Sequence, residues 1–147
     1  MKTIGQILKE KGQETWQVTP ETLVFDALKL MAEKDVGALL IMQGGKVVGI
    51  FSERDYARKV ILKGKSSKKI PVKEIMSTHV LFIRPDQSCE KGLAVMTAAR
   101  IRHLPVFERD RLIGIVSIGD LVNAVMGEQK QTIDKLEQYI LEKTSLT

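Results

Sequence analysis

The sequence predicts an α+β fold of two tandem βαββα repeats packed sheet to sheet with pseudo-twofold symmetry. Three observations carry that reading. The segment from Val18 to Tyr56 maps onto Ile83 to Leu121 at a constant offset of 65 without an insertion. Helical and strand-like hydrophobic periods alternate in the same order in both halves. Each half also ends its second strand on one motif, Gly-h-h-Ser-x-x-Asp with h apolar, at residues 49–55 and 114–120.

The elements follow in order. Ile4-Gly-Gln-Ile7-Leu8 echoes Val72-Lys-Glu-Ile75-Met76 at an offset of 68, so a short helical segment precedes each half. After Pro20, the apolar residues Val24, Ala27, Leu28 and Met31 fall at i, i+3, i+4 and i+7, one face of a helix ending near Asp35. Ala38 to Met42 and Lys46 to Phe51 flank Gln43-Gly44-Gly45 and read as a hairpin, since Gly accepts the positive φ of a tight turn. A second helix starts at Ser52 and carries Tyr56, Ala57, Val60 and Ile61 on its apolar side. In the other half, Cys89, Leu93 and Met96 mark the first helix, and Leu104–Phe107 and Leu112–Val116 the hairpin. Leu121, Val122, Val125 and Met126 mark the second helix there.

One hairpin with one helix pair buries too little to stand alone, so the halves are expected to share a core with function in the cleft between them. The expected organisation is a first repeat with an N-terminal helix at 1–63, a linker at 64–73, a second repeat at 74–127 and a C-terminal amphipathic helix at 128–147. Ile133, Leu136 and Ile140 form the apolar stripe of that last helix.

Composition excludes several classes. With 147 residues, 44% of them hydrophobic and a net charge of +5, the chain suits one folded, soluble module. Cys89 is the single cysteine, which excludes a CxxC pair, an intramolecular disulfide and a Cys-based zinc cluster. Cys89 aligns with Val24 on a core helix face and reads as a small buried hydrophobe. The start resembles no signal peptide and no run of 18 apolar residues occurs, so a cytoplasmic, membrane-free protein is expected. The positive charge concentrates between Arg54 and Lys73, where Tyr56 is the one aromatic; a solvated linker is favoured over nucleic-acid binding.

The repeated motif admits two chemistries. A Ser followed three residues later by an acid is a helix cap. The same geometry suits a ribonucleotide. Backbone N–H groups and the hydroxyl meet phosphate, Gly lets a ligand approach the strand, and the carboxylate accepts from a ribose diol. The repetition favours the second reading.

The two motifs, the element order and Arg102-His103-Leu104-Pro105-Val106 resemble a tandem pair of cystathionine β-synthase (CBS) domains, a Bateman module of the short stand-alone prokaryotic type. The resemblance implies a regulatory module that senses AMP, ADP, ATP, NADH or S-adenosylmethionine, has no obligatory cofactor, forms a homodimer and signals to an unidentified effector protein. Carried over residue by residue, it makes Asp55 and Asp120 ribose ligands and Ser52 and Ser117 phosphate-side hydroxyls. Arg54, Arg100, Arg102 and His103 become candidate phosphate contacts. Thr19, Val36, Gly37, Ile50, Ile101, Ile115 and Gly119 complete the implied ligand-binding set. The first half has Gly37-Ala38 where the second has Arg102-His103. A ligand on Asp55, facing those cations across the cleft, is therefore expected to hold phosphate better than one on Asp120. No catalytic residue is expected: the sequence has no P-loop, no nucleophile triad and two histidines, His79 and His103.

Overall fold

The structure, a computed structural model, describes residues 2–144; Met1 and the last three residues of the expected C-terminal segment, 145–147, lie outside the described residues. The elements run α1 (Ile4–Lys11), β1 (Gln17–Val18), α2 (Val24–Lys34), β2 (Ala38–Gln43), β3 (Lys46–Ser52), α3 (Glu53–Tyr56), α4 (Cys89–Ala99), β4 (His103–Glu108), β5 (Arg111–Ser117) and α5 (Ile118–Thr144). A π-helical turn, Ala57–Ile61, extends α3, and a 3-10 turn occupies Val72–Glu74.

The mixed α+β class and the repeat hold down to fine detail. β2 and β3 pair antiparallel with a bulge between Ile41 and Met42; β4 and β5 do the same with a bulge between Val106 and Phe107, 65 residues on. Helix α2 ends on Asp35 and α4 on Arg100, both left-handed, at φ 53° and 56°. The first hairpin turns through Gly44 and Gly45, both at positive φ, whereas the second places Arg109 at φ 56°. β1 joins β2 in parallel through Gln17 and Val18, but its counterpart shrinks to one bridge, Ile83 to Val106.

Two compact units emerge, and they are not consecutive halves. One comprises Thr15–Leu81; the other comprises, among the described residues, 2–14 with 82–144. The expected grouping of the N-terminal helix with the first repeat is thus replaced by packing of α1 into the second. The cause is steric and apolar. Ile4, Ile7 and Leu8 are buried, and a side-chain carbon built on Gly92 would fall 2.7 Å from Leu121 and 3.3 Å from Ile4.

The segment expected as a solvated linker is pinned along much of its length. Helix α2 has no side-chain cap, and its first amides have no intrahelical acceptor. Val24 N donates to the Ile70 carbonyl at 3.0 Å and Phe25 N to that of Ser67 at 2.9 Å. Val72 is fully buried and Ile75 nearly so, in a core with Val24, Ala27, Met31, Leu39, Ile41, Phe51 and Val60. In the other unit Ile83, Cys89, Met96, Leu104, Val106, Val116 and Leu121 are buried, and the Cys89 thiol donates to the Leu121 carbonyl at 3.1 Å. Burial, with Glu90 and Glu128, pushes that thiol's pKa up against the pull of Lys2, as suits a core residue.

The second repeat's last helix does not break at Gly127. α5 is continuous over 27 residues, and Ile133, Leu136 and Ile140 lie exposed along its outer part. An isolated Gly costs a helix about 1 kcal/mol, too little to end one this long.

Truncating Leu8 should therefore loosen the unit holding the second repeat and leave the other intact. Leu8→Ala is expected to cost about 2–5 kcal/mol. Hydrogen exchange should show protection lost at Leu104, Val106 and Val116 and kept at Leu39 and Ile41. Loss confined to the Thr15–Leu81 unit would contradict this assignment of α1.

Candidate ligand-binding site

Each unit brings one Ser–Asp pair together at the junction of a strand and a helix. At the end of β3, Ser52 caps α3. Asp55 N donates to Ser52 Oγ at 3.2 Å, and Ser52 N and Oγ donate to Asp55 Oδ2 at 2.9 and 3.1 Å. At the start of α5, Asp120 N donates to Ser117 Oγ at 3.1 Å and Ser117 N to Asp120 Oδ2 at 2.8 Å. Both motifs are reciprocal capping boxes, so the structural role weighed from sequence is present in each repeat.

The backbone around them is also duplicated. Glu53 N donates to the Gly37 carbonyl at 3.1 Å and Ile118 N to the Arg102 carbonyl at 2.8 Å, tying each first-helix exit to the second helix. Val36 N and Ile101 N return to Met31 and Met96. Ala38 pairs with Ser52 where His103 pairs with Ser117.

Sequence reasoning missed two lysines. Lys59 Nζ lies 3.2 Å from Asp55 Oδ1 and donates to the Ile75 carbonyl at 3.1 Å. Lys11 Nζ lies 2.7 Å from Asp120 Oδ2 and donates to the Ile115 carbonyl at 2.9 Å. Lys59 follows Asp55 at i+4 and was legible as a helical ion pair. Lys11 comes from α1, 109 residues away, and only the packing of that helix reveals it. A ligand on either carboxylate therefore meets an ammonium already in place.

Charge gathers at the second pair. Burial alone would raise the Asp120 carboxyl pKa, but the Lys11 hydrogen bond, the Ser117 amide and the Lys11 charge together hold it below the usual carboxylate range. Burial pushes the His103 imidazole down, Lys11 and Arg102 push the same way, and Asp120 opposes them. Lys11, Arg102, His103 and Asp120 thus influence one another within a single unit.

The other expected residues are placed as follows. Thr19 engages Thr22 through its hydroxyl at 3.2 Å and its amide at 3.2 Å. Arg100 is the exposed left-handed residue closing α4. Arg54, in the first turn of α3, is half-buried. Gly119 leaves open surface beside the Ser117 hydroxyl, since an added Cβ would stand 3.6 Å from it. Ile50 is bridged through its amide and carbonyl to Ser77.

The motif glycines have a different purpose from the one expected. A Cβ on Gly49 would lie 2.5 Å from Met76 Sδ, and one on Gly114 would lie 2.8 Å from Leu8 Cδ2. The close approach that Gly permits is by a core side chain, not a ligand.

A small α+β repeat with a Ser–Asp capping box at the strand-to-helix junction is present twice, which defines a tandem-repeat architecture. The CBS domain family profile matches residues 16–62 and 72–127, and the chain belongs to that family. It is 38% identical over 148 residues to the CBS domain-containing protein CBSX3, mitochondrial, of Arabidopsis thaliana, covering 94% of this chain and 71% of that protein. A protein with CBS domains from Burkholderia ambifaria superposes with a TM-score of 0.83 at 49% identity, over 86% of this chain and 96% of that one. The CBS domain pair of protein MJ0100, solved with 5-methylthioadenosine and S-adenosyl-L-methionine, shares the fold at a TM-score of 0.75 and 22% identity, over 87% of this chain and 98% of that one. Among the described residues, no helix is long and apolar enough to cross a membrane.

The depressed imidazole sets a pH dependence. The unfolded chain takes up its histidine proton near pH 6.5, whereas folded His103 does so lower, so stability should fall as pH drops below about 6.5. His103→Gln is expected to flatten that slope in urea unfolding measured from about pH 7.5 to 5.5. Asp120 acts lower still: its contribution is full above the ordinary carboxyl pKa of about 3.9 and is lost as pH falls through its depressed folded value. Equal slopes for wild type and His103→Gln would contradict the burial of a neutral imidazole.

Proposed function

We propose that the chain is a regulatory module binding an adenosine ligand, AMP, ADP, ATP, NADH or S-adenosylmethionine, and passing its occupancy to an effector protein rather than catalysing a reaction. The observation carrying this is the Ser117–Asp120 pair with Lys11, Arg102 and His103 around it. A ribose diol donates to the Asp120 carboxylate, and the Ser117 hydroxyl turns to the phosphate side. Lys11 exchanges its carboxylate partner for a phosphate oxygen. A phosphate beside His103 also offsets the Lys11 and Arg102 charges that disfavour the imidazolium, so binding raises the imidazole's affinity for a proton.

This reverses the site ranking expected from sequence. The second repeat's own cations, together with one from α1, make Asp120 the stronger phosphate site. Asp55, whose ammonium comes from its own helix, favours adenosine with less dependence on phosphate. The Ser–Asp geometry supports an adenosine ligand of the kind named for MJ0100. Homodimerisation belongs to the same reading, with exposed Ile133, Leu136 and Ile140 available for it.

The reading is tested by calorimetry and melting together. AMP at a hundredfold excess over its Kd should stabilise the fold by about 2.7 kcal/mol. Asp120→Asn keeps a capping acceptor and should weaken AMP by about 1–3 kcal/mol. Lys11→Met should weaken AMP more than adenosine, and Asp55→Asn should affect AMP less than Asp120→Asn. A melting curve unmoved by every adenosine ligand at millimolar order would overturn the function; equal affinity in wild type and Asp120→Asn would reduce that carboxylate to a cap.

A further inference from the structure

A pocket of about 470 Å³ opens in the Thr15–Leu81 unit, among helix α2, the π-helical turn and residues 65–68. It contains neither residue of the Ser52–Asp55 pair. Phe25, Leu28 and Tyr56 supply apolar and aromatic surface, Lys29, Lys65 and Lys68 supply three ammonium groups, and the lining includes no acidic side chain. Lys68 Nζ rests 5.0 Å over the centre of the Phe25 ring.

The wall is tied in place. Phe25 N donates to the Ser67 carbonyl, Lys65 N to that of Val60 at 3.0 Å, and Lys69 N to that of Ser66 at 3.1 Å. The volume is that of a small-molecule site. We propose that this pocket is a second ligand site for a small organic anion with a flat apolar body, separate from the adenosine site. The body lies against Phe25, Leu28 and Tyr56, and its carboxylate, sulfonate or phosphate meets the three lysines.

Charge argues against a second copy of the chain as occupant. Twofold pairing over this face would gather six lysines, three from each copy, with no acidic side chain in the lining of either pocket, which costs affinity. A nucleic-acid strand needs a track of successive stacking aromatics, whereas the aromatic lining here is Phe25 and Tyr56 alone.

The test uses the full chain and two fluorescent probes of similar shape, 1-anilinonaphthalene-8-sulfonate and the uncharged N-phenyl-1-naphthylamine. The sulfonate should bind with one-to-one stoichiometry, and the Lys65→Ala/Lys68→Ala double variant, its fold checked by circular dichroism, should bind it about tenfold more weakly or worse. The uncharged probe should not distinguish wild type from the double variant, and saturating AMP should leave the sulfonate bound. Sulfonate binding indifferent to the lysines would overturn the site. So would displacement by AMP, which would merge it with the nucleotide site, or by a single-stranded oligonucleotide, which would make the face a nucleic-acid surface. Binding that falls as protein concentration rises would assign the pocket to a second copy. An unaltered AMP titration alongside a failed sulfonate titration would sink this site alone and leave the proposed function standing.

Discussion

Each βαββα repeat depends on an apolar side chain delivered from a segment that precedes the other repeat's first strand. Gly114 receives Leu8, and Gly49 receives Met76. The hydrogen bonds around the two deliveries match almost atom for atom. Ile4 N donates to Gln87 and Gly5 N to Pro85, as Val72 N donates to Thr22 and Lys73 N to Pro20; Cys89 N donates to Lys2 as Val24 N does to Ile70. Two short stretches, 2–8 and 70–76, thus do one job on opposite repeats. They cap the first-helix amides, close the core and fill the notch left by a missing Cβ. Any side chain at that notch would meet a neighbour well inside van der Waals distance.

The candidate site inherits this arrangement. Because α1 is drawn onto the second repeat by Ile4, Ile7 and Leu8, its last residue, Lys11, reaches Asp120 and the Ile115 carbonyl. The corresponding place on the first repeat is filled differently, with the Ser77 amide taking the Ile50 carbonyl and Lys59 reaching Asp55 from within its own helix. One duplicated motif therefore has two electrostatic surroundings. The difference arises from what the preceding segments carry, not from the Ser and Asp themselves.

Much of this was legible in the sequence because it is local and periodic. The hairpins, the end of α2 at Asp35 and the Ser–Asp junctions follow from hydrophobic period, glycine placement and the repeat. What escaped is non-local. The echo between Ile4–Leu8 and Val72–Met76 was visible, yet periodicity cannot say onto which repeat such a segment folds, and adjacency in the chain pointed the wrong way. Lys11 was hidden for the same reason. The expected boundary at 127/128 does not interrupt α5, because no proline or left-handed cap follows Gly127 to force the chain out of the helix. The Lys-rich stretch looked solvated because its composition is polar, while its carbonyls do the work of a missing helix cap.

The order of elements along the chain also governs how it matures. The unit Thr15–Leu81 is continuous, so its partners are all present once that stretch leaves the ribosome, and it can close while synthesis proceeds. The other unit is discontinuous. Ile4, Ile7 and Leu8 are made first and find their neighbours Ile83, Gly92 and Gly114 last, across a long loop whose entropy is lost before those contacts form. During that interval the nascent amino-terminal helix carries a bare apolar face. Within its unit it is made before the partners that bury it.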